Sequence, residues 1–367
     1  MAHENSPLFT PLHGGDINAA SERYGIAYDE WVDLSTGINP NSYPHDSIKA
    51  EAFKSLPYLQ TSFYDAAEMY YNEEVMLAVS GSQAVIQALP EVLANKPLLA
   101  PAVGYQEYTK HWLKAGRDVV PYVSFDHDEA HNLITDALTQ QNDQHLLIIN
   151  PNNPTGLLFT ADDIFKWANM LADGCCVIVD EAFADIEPSR SVLGKDRPEN
   201  VIVLRSFGKF FGLAGVRLGY VFANCFILEQ LNTRLGLWQI NGPAQSLAIS
   251  AFNDVAWQQQ ARLTIKKEAE NCQQLFQPVM DLMGVDRQTH QGLFSTYQMS
   301  KASAYFVFET FAQQGVLMRV IDVDSNMSLL RIGLLSKASN DKWNKVCNVV
   351  QMFLDAVKTK NDSKVLL

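Results

Sequence analysis

The sequence predicts an α/β protein: a large domain with a mostly parallel sheet flanked by helices, then a smaller C-terminal α+β domain. Five short runs are apolar throughout, as in strands covered on both faces; they span 75–80, 96–101, 145–150, 175–180 and 201–206. Helical patterns separate these runs, which favours parallel strands. The pattern changes near residue 240, so we place the large domain at 46–240 and the small one at 241–367.

The helix after the third run shows how elements are predicted. Thr160 is a favourable N-cap, and Asp163 stands where an acidic side chain completes a capping box. Ile164 and Ala168 lie one turn apart and give the helix an apolar stripe. Gly174 is the predicted stop, because glycine readily adopts the conformation that ends helices. By contrast, "DHDEAHN" at 126–132 is predicted as a solvated loop, since its histidines and acids lack a metal-ligand spacing.

Composition argues against several classes of function. The chain has 367 residues, a formal net charge of −13 and a pI of about 5.0, which disfavours nucleic acid or an anionic membrane as partner. Its five cysteines are odd in number and lack metal-ligand spacing, so we expect a reducing compartment and no metal. The first residues lack a secretory pattern, and no apolar run has the length of a membrane helix. We therefore expect a cytoplasmic protein.

The residues just after each apolar run are the candidates for a site, because ligands of parallel sheets bind beyond the carboxyl ends of the strands. Ser82 and Gln83 open a helix whose free N–H groups favour a phosphate, although an ordinary N-cap serine fits the same pattern. Tyr105 follows the second run and suits either ring stacking or the core. Asn153 lies in the turn "PNNPTG", where its amide can be offered to a ligand.

Charged residues follow the last two runs. Asp180 ends its run; a buried acid there needs a partner such as a cationic ring nitrogen, whereas an exposed acid needs none. Ser206 and Arg217 offer a hydroxyl and a guanidinium suited to a phosphate. Lys209 stands among glycines and phenylalanines, where an amine loses its proton more readily and can attack an aldehyde. A surface loop with stray charges is the alternative interpretation.

One cofactor uses this whole set of side chains. Pyridoxal 5′-phosphate (PLP) has an aldehyde, a phosphate, a phenolic oxygen, a flat ring and a pyridinium nitrogen. Each local pattern is a weak indicator by itself. Their occurrence together, in order at successive strand ends, predicts PLP as the cofactor.

The motifs "NPNNPTG", "DEAF" and "SFGKFFGLAGVRLGY" resemble, in order and spacing, those of fold-type I PLP enzymes of the aspartate-aminotransferase superfamily. The resemblance covers nearly the whole chain and implies that Lys209 binds the cofactor covalently. It also implies that Asp180 pairs with the pyridinium nitrogen, that Asn153 bonds the phenolic oxygen and that Tyr105 stacks on the ring. The residues implied at the phosphate are Ser82, Gln83, Ser206 and Arg217.

One position departs from the superfamily pattern. Many aminotransferases have "DEAY", whose tyrosine hydroxyl also bonds the phenolic oxygen, whereas this chain has Phe183 there. The departure disfavours a plain aminotransferase. The resemblance further implies a homodimer in which each site receives a tyrosine from the other chain. Leu56 stands where that tyrosine would align, and Tyr58 or Tyr64 could replace it.

Within the superfamily, "HGGDINAASERYGI", "WVDLSTGINPNSYP", "NGPA" and "LLRIGL" resemble the L-threonine-O-3-phosphate decarboxylases of cobalamin biosynthesis. That resemblance implies decarboxylation of L-threonine O-3-phosphate to (R)-1-amino-2-propanol O-2-phosphate. It implies that His13, Asn39, Arg319 and Arg331 surround the phosphate and carboxylate of the substrate. It also implies an N-terminal segment, 1–45, that packs on the small domain and the active site.

Two other functions are alternatives. A histidinol-phosphate aminotransferase also binds an amino compound that carries a phosphate, but it orients the Cα–H bond, rather than the Cα–carboxylate bond, for cleavage. A PLP-binding regulator without turnover is disfavoured, because segment 1–45 is too short for a DNA-binding module and its linker, and because the chain is acidic.

Overall fold

The computed structural model describes residues 14–45 and 48–365, which form two compact units. Of the described residues, those between 41 and 262 form the larger unit, and residues 14–40 and 263–365 form the smaller unit. The sequence had suggested a boundary near 240. The structure instead groups 241–262 with the larger unit, because the helix Gly242–Asn253 packs against the helix Thr61–Tyr71.

The helices, in chain order, are α1 (Ile17–Tyr24), α2 (Thr61–Tyr71), α3 (Ser82–Val92), α4 (Glu107–Lys114), α5 (His127–Gln140), α6 (Ala161–Met170), α7 (Phe207–Phe210), α8 (Cys225–Leu235), α9 (Gly242–Asn253), α10 (Val255–Met283), α11 (Lys301–Ala312) and α12 (Asn340–Val365). The strands are β1 (Val32–Asp33), β2 (Met76–Val79), β3 (Leu98–Pro101), β4 (Val119–Tyr122), β5 (His145–Ile149), β6 (Val177–Asp180), β7 (Val201–Ser206), β8 (Gly219–Phe222), β9 (Arg287–His290), β10 (Phe294–Ser300), β11 (Val316–Leu317), β12 (Arg319–Asp322) and β13 (Met327–Gly333). Within the described ranges, none of these helices is both long enough and apolar enough to span a bilayer.

The larger unit is built on a sheet with the strand order β2-β8-β7-β6-β5-β3-β4. Its adjacent strands are parallel, apart from β8, which runs antiparallel to both of its neighbours. The predicted α/β class with a mostly parallel sheet is therefore confirmed. The five apolar runs of the sequence become β2, β3, β5, β6 and β7, whereas β4 and β8 were not predicted.

One face of this sheet carries a continuous apolar core. Helices α3, α4 and α8 bury their apolar side chains against β3, β5, β6 and β7 there. Burying a large aliphatic or aromatic side chain stabilises a fold by about 1.5–3 kcal/mol. The core therefore fixes where the carboxyl ends of the strands lie. Its members include Ile86, Leu89, Trp112, Leu147, Ile178, Ile202, Leu204 and Leu231.

Two local predictions had different outcomes at their helix ends. The capping box of α6 is confirmed: Thr160 accepts a bond from the N–H of Asp163, whose side chain accepts one from the N–H of Thr160. The predicted end at Gly174 is wrong, because Leu171 is already extended. The side chain of Asn142 donates a hydrogen bond of 3.1 Å to the carbonyl of Met170, one of the carbonyls that the end of the helix leaves without an internal partner.

The loop predicted at 126–132 is also wrong. Asp126 accepts hydrogen bonds from the N–H groups of Asp128 and Glu129, at 3.0 and 3.2 Å, and so caps α5. Acidic residues in the first turn suit the positive end of the helix dipole. The cluster of acids is thus a helix start.

The smaller unit has an antiparallel sheet in the order β12-β13-β10-β9 and a separate parallel pair, β1-β11. Residues of β12, β13 and β10 stand in register across the sheet: Arg319 is opposite Arg331, which is opposite Thr296. Opposite residues in antiparallel strands project from the same face. The two arginines of the predicted substrate site are therefore direct cross-strand neighbours.

Candidate active site

All eight residues predicted to contact the cofactor line one cavity of about 140 Å³ in the larger unit. They are Ser82, Gln83, Tyr105, Asn153, Asp180, Ser206, Lys209 and Arg217, and they share the cavity with Gly81, Ile149, Ala182 and Phe183. The register explains this convergence: Ile149 at the end of β5 is opposite Asp180 at the end of β6, which is opposite Leu204 of β7. Neighbouring parallel strands thus deliver their following residues to one edge of the sheet.

Asp180 is the buried acid of the cavity, with 5 % of its surface exposed. Its Oδ2 accepts a 2.9 Å hydrogen bond from the hydroxyl of Tyr108, and its Oδ1 accepts one of 3.0 Å from the N–H of Ala182. Burial raises the pKa of Asp180, while these two bonds and the charge of Lys209 oppose the rise. A cation beside this carboxylate would therefore favour its ionised form.

Sequence reasoning did not identify Tyr108 as a partner of Asp180. Tyr108 is buried in α4, and burial followed by the charge of Asp180 holds its pKa well above the ordinary value, so it remains a donor. Its position one helical turn after Tyr105 was the available signal. That spacing does not reveal a bond to a residue 72 positions away.

The opposite end of the cavity suits an anion. Gly81, with φ of 79°, precedes the first residue of α3, where free N–H groups favour a phosphate. A Cβ at position 81 would lie 2.6 Å from Nη2 of Arg217, so only glycine lets the guanidinium approach the helix start. Arg217 itself adopts a left-handed φ of 57° and bonds the carbonyl of Ala214 at 3.2 Å. The N-terminus of α3 and the guanidinium of Arg217 are both positive, so together they favour a bound anion.

Lys209 lies in the short helix α7, directly after β7. Its Nζ is 5.7 Å from the ring centroid of Phe183, so an aromatic face borders the amine. A Cβ at Gly208 would be 2.6 Å from Cα of Ala214, which makes glycine necessary for the turn that carries the lysine. Phe183 is buried and has no hydroxyl to offer in the cavity.

A buried ion cluster behind the cavity fixes the end of β6. Glu181, next to Asp180, accepts bonds from Arg205 at 2.9 Å, from the N–H of Val192 at 2.8 Å and from the hydroxyl of Ser191 at 2.5 Å. Arg205 also pairs with Asp185. Because successive strand residues point to opposite faces, anchoring Glu181 on one side directs Asp180 to the other.

Arg319, Arg331 and Asn39 belong to the smaller unit, and His13 lies outside the described residues. Burial, followed by the charge of Arg319, lowers the pKa of Arg331 to about 10, and Asp33 opposes that shift. Burial also lowers the pKa of Arg319. Like charges directly opposite in a sheet are destabilising. A bound anion would relieve this repulsion.

The backbone of the N-terminal segment helps to hold Arg331. Its Nη2 donates to the carbonyl of Ser35, whose own N–H and hydroxyl donate to Asp33 at 2.8 and 2.6 Å. Gly333 makes the approach possible, since a Cβ there would collide with the carbonyl of Thr36. Asn39 is buried in the same unit, with 2 % of its surface exposed.

The donor set fits PLP. The cavity combines an amine, a buried carboxylate, an amide and an aromatic ring with the N-terminus of a helix. Gly81 leaves room for a guanidinium to lie close to that N-terminus. Among residues 14–45 and 48–365, no group of three histidine, cysteine or acidic side chains is placed to hold a metal ion. The cavity therefore matches an aldehyde-bearing, phosphorylated, cationic ring.

The chain belongs to the aminotransferase class I and II family, whose model matches residues 31–350. Enzymes of this family depend on PLP, and this chain is a PLP-dependent enzyme.

It is similar to threonine-phosphate decarboxylases. That of Pseudomonas aeruginosa is 34% identical over 88% of this chain and 92% of the relative, and that of a Sinorhizobium species is 34% identical over 90% and 95%. The fold is similar to that of histidinol-phosphate aminotransferase from Sinorhizobium meliloti, solved in complex with PLP: the TM-score is 0.74, with 17% identity over 97% of this chain and 99% of that one.

Proposed function

We propose that the protein decarboxylates L-threonine O-3-phosphate to (R)-1-amino-2-propanol O-2-phosphate, as in cobalamin biosynthesis. The similarity to two threonine-phosphate decarboxylases over most of the chain supports this substrate. The structural observation that carries the proposal is the cross-strand pair of the half-buried Arg319 and the buried Arg331. A substrate with both a carboxylate and a phosphate brings two anionic groups for two arginines.

In this proposal each residue has a defined task. PLP supplies an electron sink for the pair of electrons released from a bond at Cα of the substrate amine. Lys209 would hold the cofactor covalently through its side-chain amine. Asp180, kept in place by Tyr108 and the N–H of Ala182, keeps the ring nitrogen protonated. Asn153 bonds the phenolic oxygen without help from a hydroxyl at position 183.

The choice of bond depends on orientation. PLP would weaken the bond at Cα that the protein holds in the position for cleavage, so the residues that hold the substrate select that bond. Arg319 and Arg331 hold the two anionic groups and so set the carboxylate in that position, with Asn39 and His13 as further proposed contacts. Cleavage of the Cα–carboxylate bond would release carbon dioxide and leave the electron pair with the cofactor, and Lys209, protonated as an ammonium group, would deliver a proton to Cα.

Product analysis tests the proposal. One sample of PLP-loaded protein receives L-threonine O-3-phosphate alone; the other receives histidinol phosphate with 2-oxoglutarate. We expect carbon dioxide and aminopropanol phosphate from the first sample and no glutamate from the second. Glutamate from the second with nothing from the first would make the protein an aminotransferase, and DNA binding without turnover in either would favour a regulator.

We also propose a homodimer in the cytoplasm. Two segments of the larger unit expose apolar side chains: Tyr58 is 73% exposed in one, and Leu237 and Trp238 are 79% and 48% exposed in the other. The rings of Tyr58 and Trp238 are 6.5 Å apart, so these side chains form one patch. Exposed apolar patches often mark interfaces. Tyr58, more exposed than Tyr64, is thus the better candidate to reach a partner's cofactor site; a monomeric mass by light scattering would contradict the dimer.

A further inference from the structure

A line of hydrogen bonds leads from a buried carboxylate to the ring predicted to stack on the cofactor. The hydroxyl of Tyr105 donates to Oε1 of Gln83 at 2.9 Å, and Nε2 of Gln83 donates to Oε2 of Glu107 at 2.8 Å. Gln83 and Tyr105 both line the cavity. The side chain of Gln83, predicted to contact the phosphate, is therefore engaged with Tyr105 and Glu107, which leaves its backbone N–H at the start of α3 for an anion.

The direction of these bonds follows from the chemistry of the groups. An ionised carboxylate only accepts hydrogen bonds, so Gln83 must turn its NH₂ group toward Glu107. The amide oxygen then faces Tyr105, whose hydroxyl must donate. Burial, followed by the charges of Glu107 and Asp180, raises the pKa of Tyr105 to about 12, so the proton stays on the phenol at neutral pH. One arrangement satisfies all three side chains.

Glu107 is itself held firmly. It is the first residue of α4 and only 6 % exposed. Nζ of Lys110 lies 3.0 Å from its Oε1, and Nε2 of His111 lies 3.3 Å from its Oε2. The carboxylate is thus a fixed point from which Gln83 and Tyr105 take their orientation.

We propose that Glu107 is a positioning residue for the cofactor: acting through Gln83, it fixes the orientation of the Tyr105 ring against PLP. The hydrogen bond of the phenol hydroxyl fixes the orientation of the ring, and the face of the ring contacts the cofactor. A ring held in one orientation loses less conformational entropy when the cofactor binds, which favours affinity. The proposal concerns the cofactor alone and holds whichever substrate the enzyme uses.

Cofactor binding by the apoprotein tests this without any turnover. The dissociation constant for PLP would be measured by quenching of protein fluorescence, and the circular dichroism of the bound cofactor would report ring orientation. Gln83→Ala, Tyr105→Phe and Glu107→Ala should each raise the dissociation constant about 2- to 10-fold, the effect of one lost hydrogen bond, and weaken the dichroic band. Glu107→Gln, which keeps an oxygen to accept from Gln83, should restore most of both signals.

Two comparisons separate positioning from general stability. Tyr105→Phe combined with Glu107→Ala should be no worse than the more severe single variant, because both cut the same line of bonds. Lys110→Met removes a contact to the other carboxylate oxygen and should change neither the dissociation constant nor the dichroic band. Three results would each overturn the proposal: unchanged signals in both Gln83→Ala and Tyr105→Phe, additive effects in the double variant, or losses in Lys110→Met equal to those in Glu107→Ala. The first and the comparison of Gln83→Ala with Tyr105→Phe remain available even if Glu107→Ala fails to fold.

Discussion

The cofactor cavity of the larger unit and the arginine pair of the smaller unit differ in how their charges are arranged. Burial raises the pKa of Asp180, but two hydrogen-bond donors and the charge of Lys209 already surround this carboxylate and oppose the rise. Arg319 and Arg331, by contrast, stand opposite each other and each has a lowered pKa. The first site is arranged in advance for a permanent cofactor. The second carries repulsion that a transient anionic substrate can relieve.

The largest effect is expected from Lys209→Ala. This variant should lose the visible absorbance near ~420 nm, because Lys209 is the side chain proposed to bind the cofactor covalently. Turnover should fall about 10²–10⁴-fold from the lost proton transfer alone. An unchanged absorbance band, recorded by spectrophotometry of the PLP-loaded variant, would show that another residue binds the cofactor.

Removing one arginine should affect the substrate but not the cofactor. Arg319→Gln should lower kcat/KM about 30-fold or more, because one anion loses its charge partner, while the visible spectrum of bound PLP stays as it is. Inorganic phosphate should raise the Tm of the natural protein by binding the folded state, and should do so less in the variant. Arg287→Gln, an exposed arginine on β9 of the same sheet, is the control expected to change neither quantity. Loss of the PLP spectrum in Arg319→Gln would contradict the separation of the two roles.

Gly81→Ala should weaken the phosphate end of the cavity. Both Gly81 (φ 79°) and Gly174 (φ 81°) have positive φ, so alanine strains the backbone at either position by about 1–3 kcal/mol. Only at position 81 does the new Cβ also displace Arg217; nothing lies within 4 Å at Gly174. We expect the dissociation constant for PLP to rise about tenfold in Gly81→Ala and to stay unchanged in Gly174→Ala. An equal rise of the dissociation constant in the two variants would mean that backbone strain, and not displacement of the Arg217 guanidinium, weakens PLP binding.

The smallest expected effect concerns the opposite edge of the sheet, at the amino end of β5. Nδ1 of His145 accepts from the N–H of Cys176 at 3.0 Å, so its Nε2 carries the proton and donates to the carbonyl of Ala94 at 3.0 Å. Burial lowers the pKa of His145, so the unfolded chain binds this proton at a higher pH than the folded one. Stability should therefore fall as the pH drops below about 6.5, by at most about 1.4 kcal/mol per pH unit, and level off below the folded pKa.

Urea unfolding from about pH 7 to about pH 5 measures this dependence. The slope should be smaller in His145→Gln, which has no ring to titrate. If His145→Gln leaves the pH dependence of the unfolding free energy unchanged, a group other than His145 causes that dependence.

The sequence predicted the cofactor cavity well because its signals are local. Apolar runs mark β5, β6 and β7, and whatever follows them must meet at one edge of a parallel sheet, so Asn153, Asp180 and Lys209 come together without knowledge of any contact. The roles of these residues remain predictions.

Features that depend on contacts between distant residues were not predictable in this way. The opposition of Arg319 and Arg331 depends on the register of β12 and β13, which their spacing does not give. The bond from Tyr108 to Asp180 joins two elements far apart in the chain, and the side chain of Asn142 that bonds the last carbonyl of α6 comes from a segment well before that helix. The same holds for β8, a short antiparallel strand whose neighbours β2 and β7 cover it on both edges.

The most direct test of the proposed reaction follows the α-hydrogen of L-threonine O-3-phosphate in D₂O by proton NMR. If the Cα–carboxylate bond breaks, the aminopropanol phosphate keeps the original α-hydrogen and gains one deuterium at the same carbon. That is the result we predict. Exchange of the α-hydrogen for deuterium in unreacted substrate, without decarboxylated product, would show that the Cα–H bond is the one that breaks, and would contradict the proposed function.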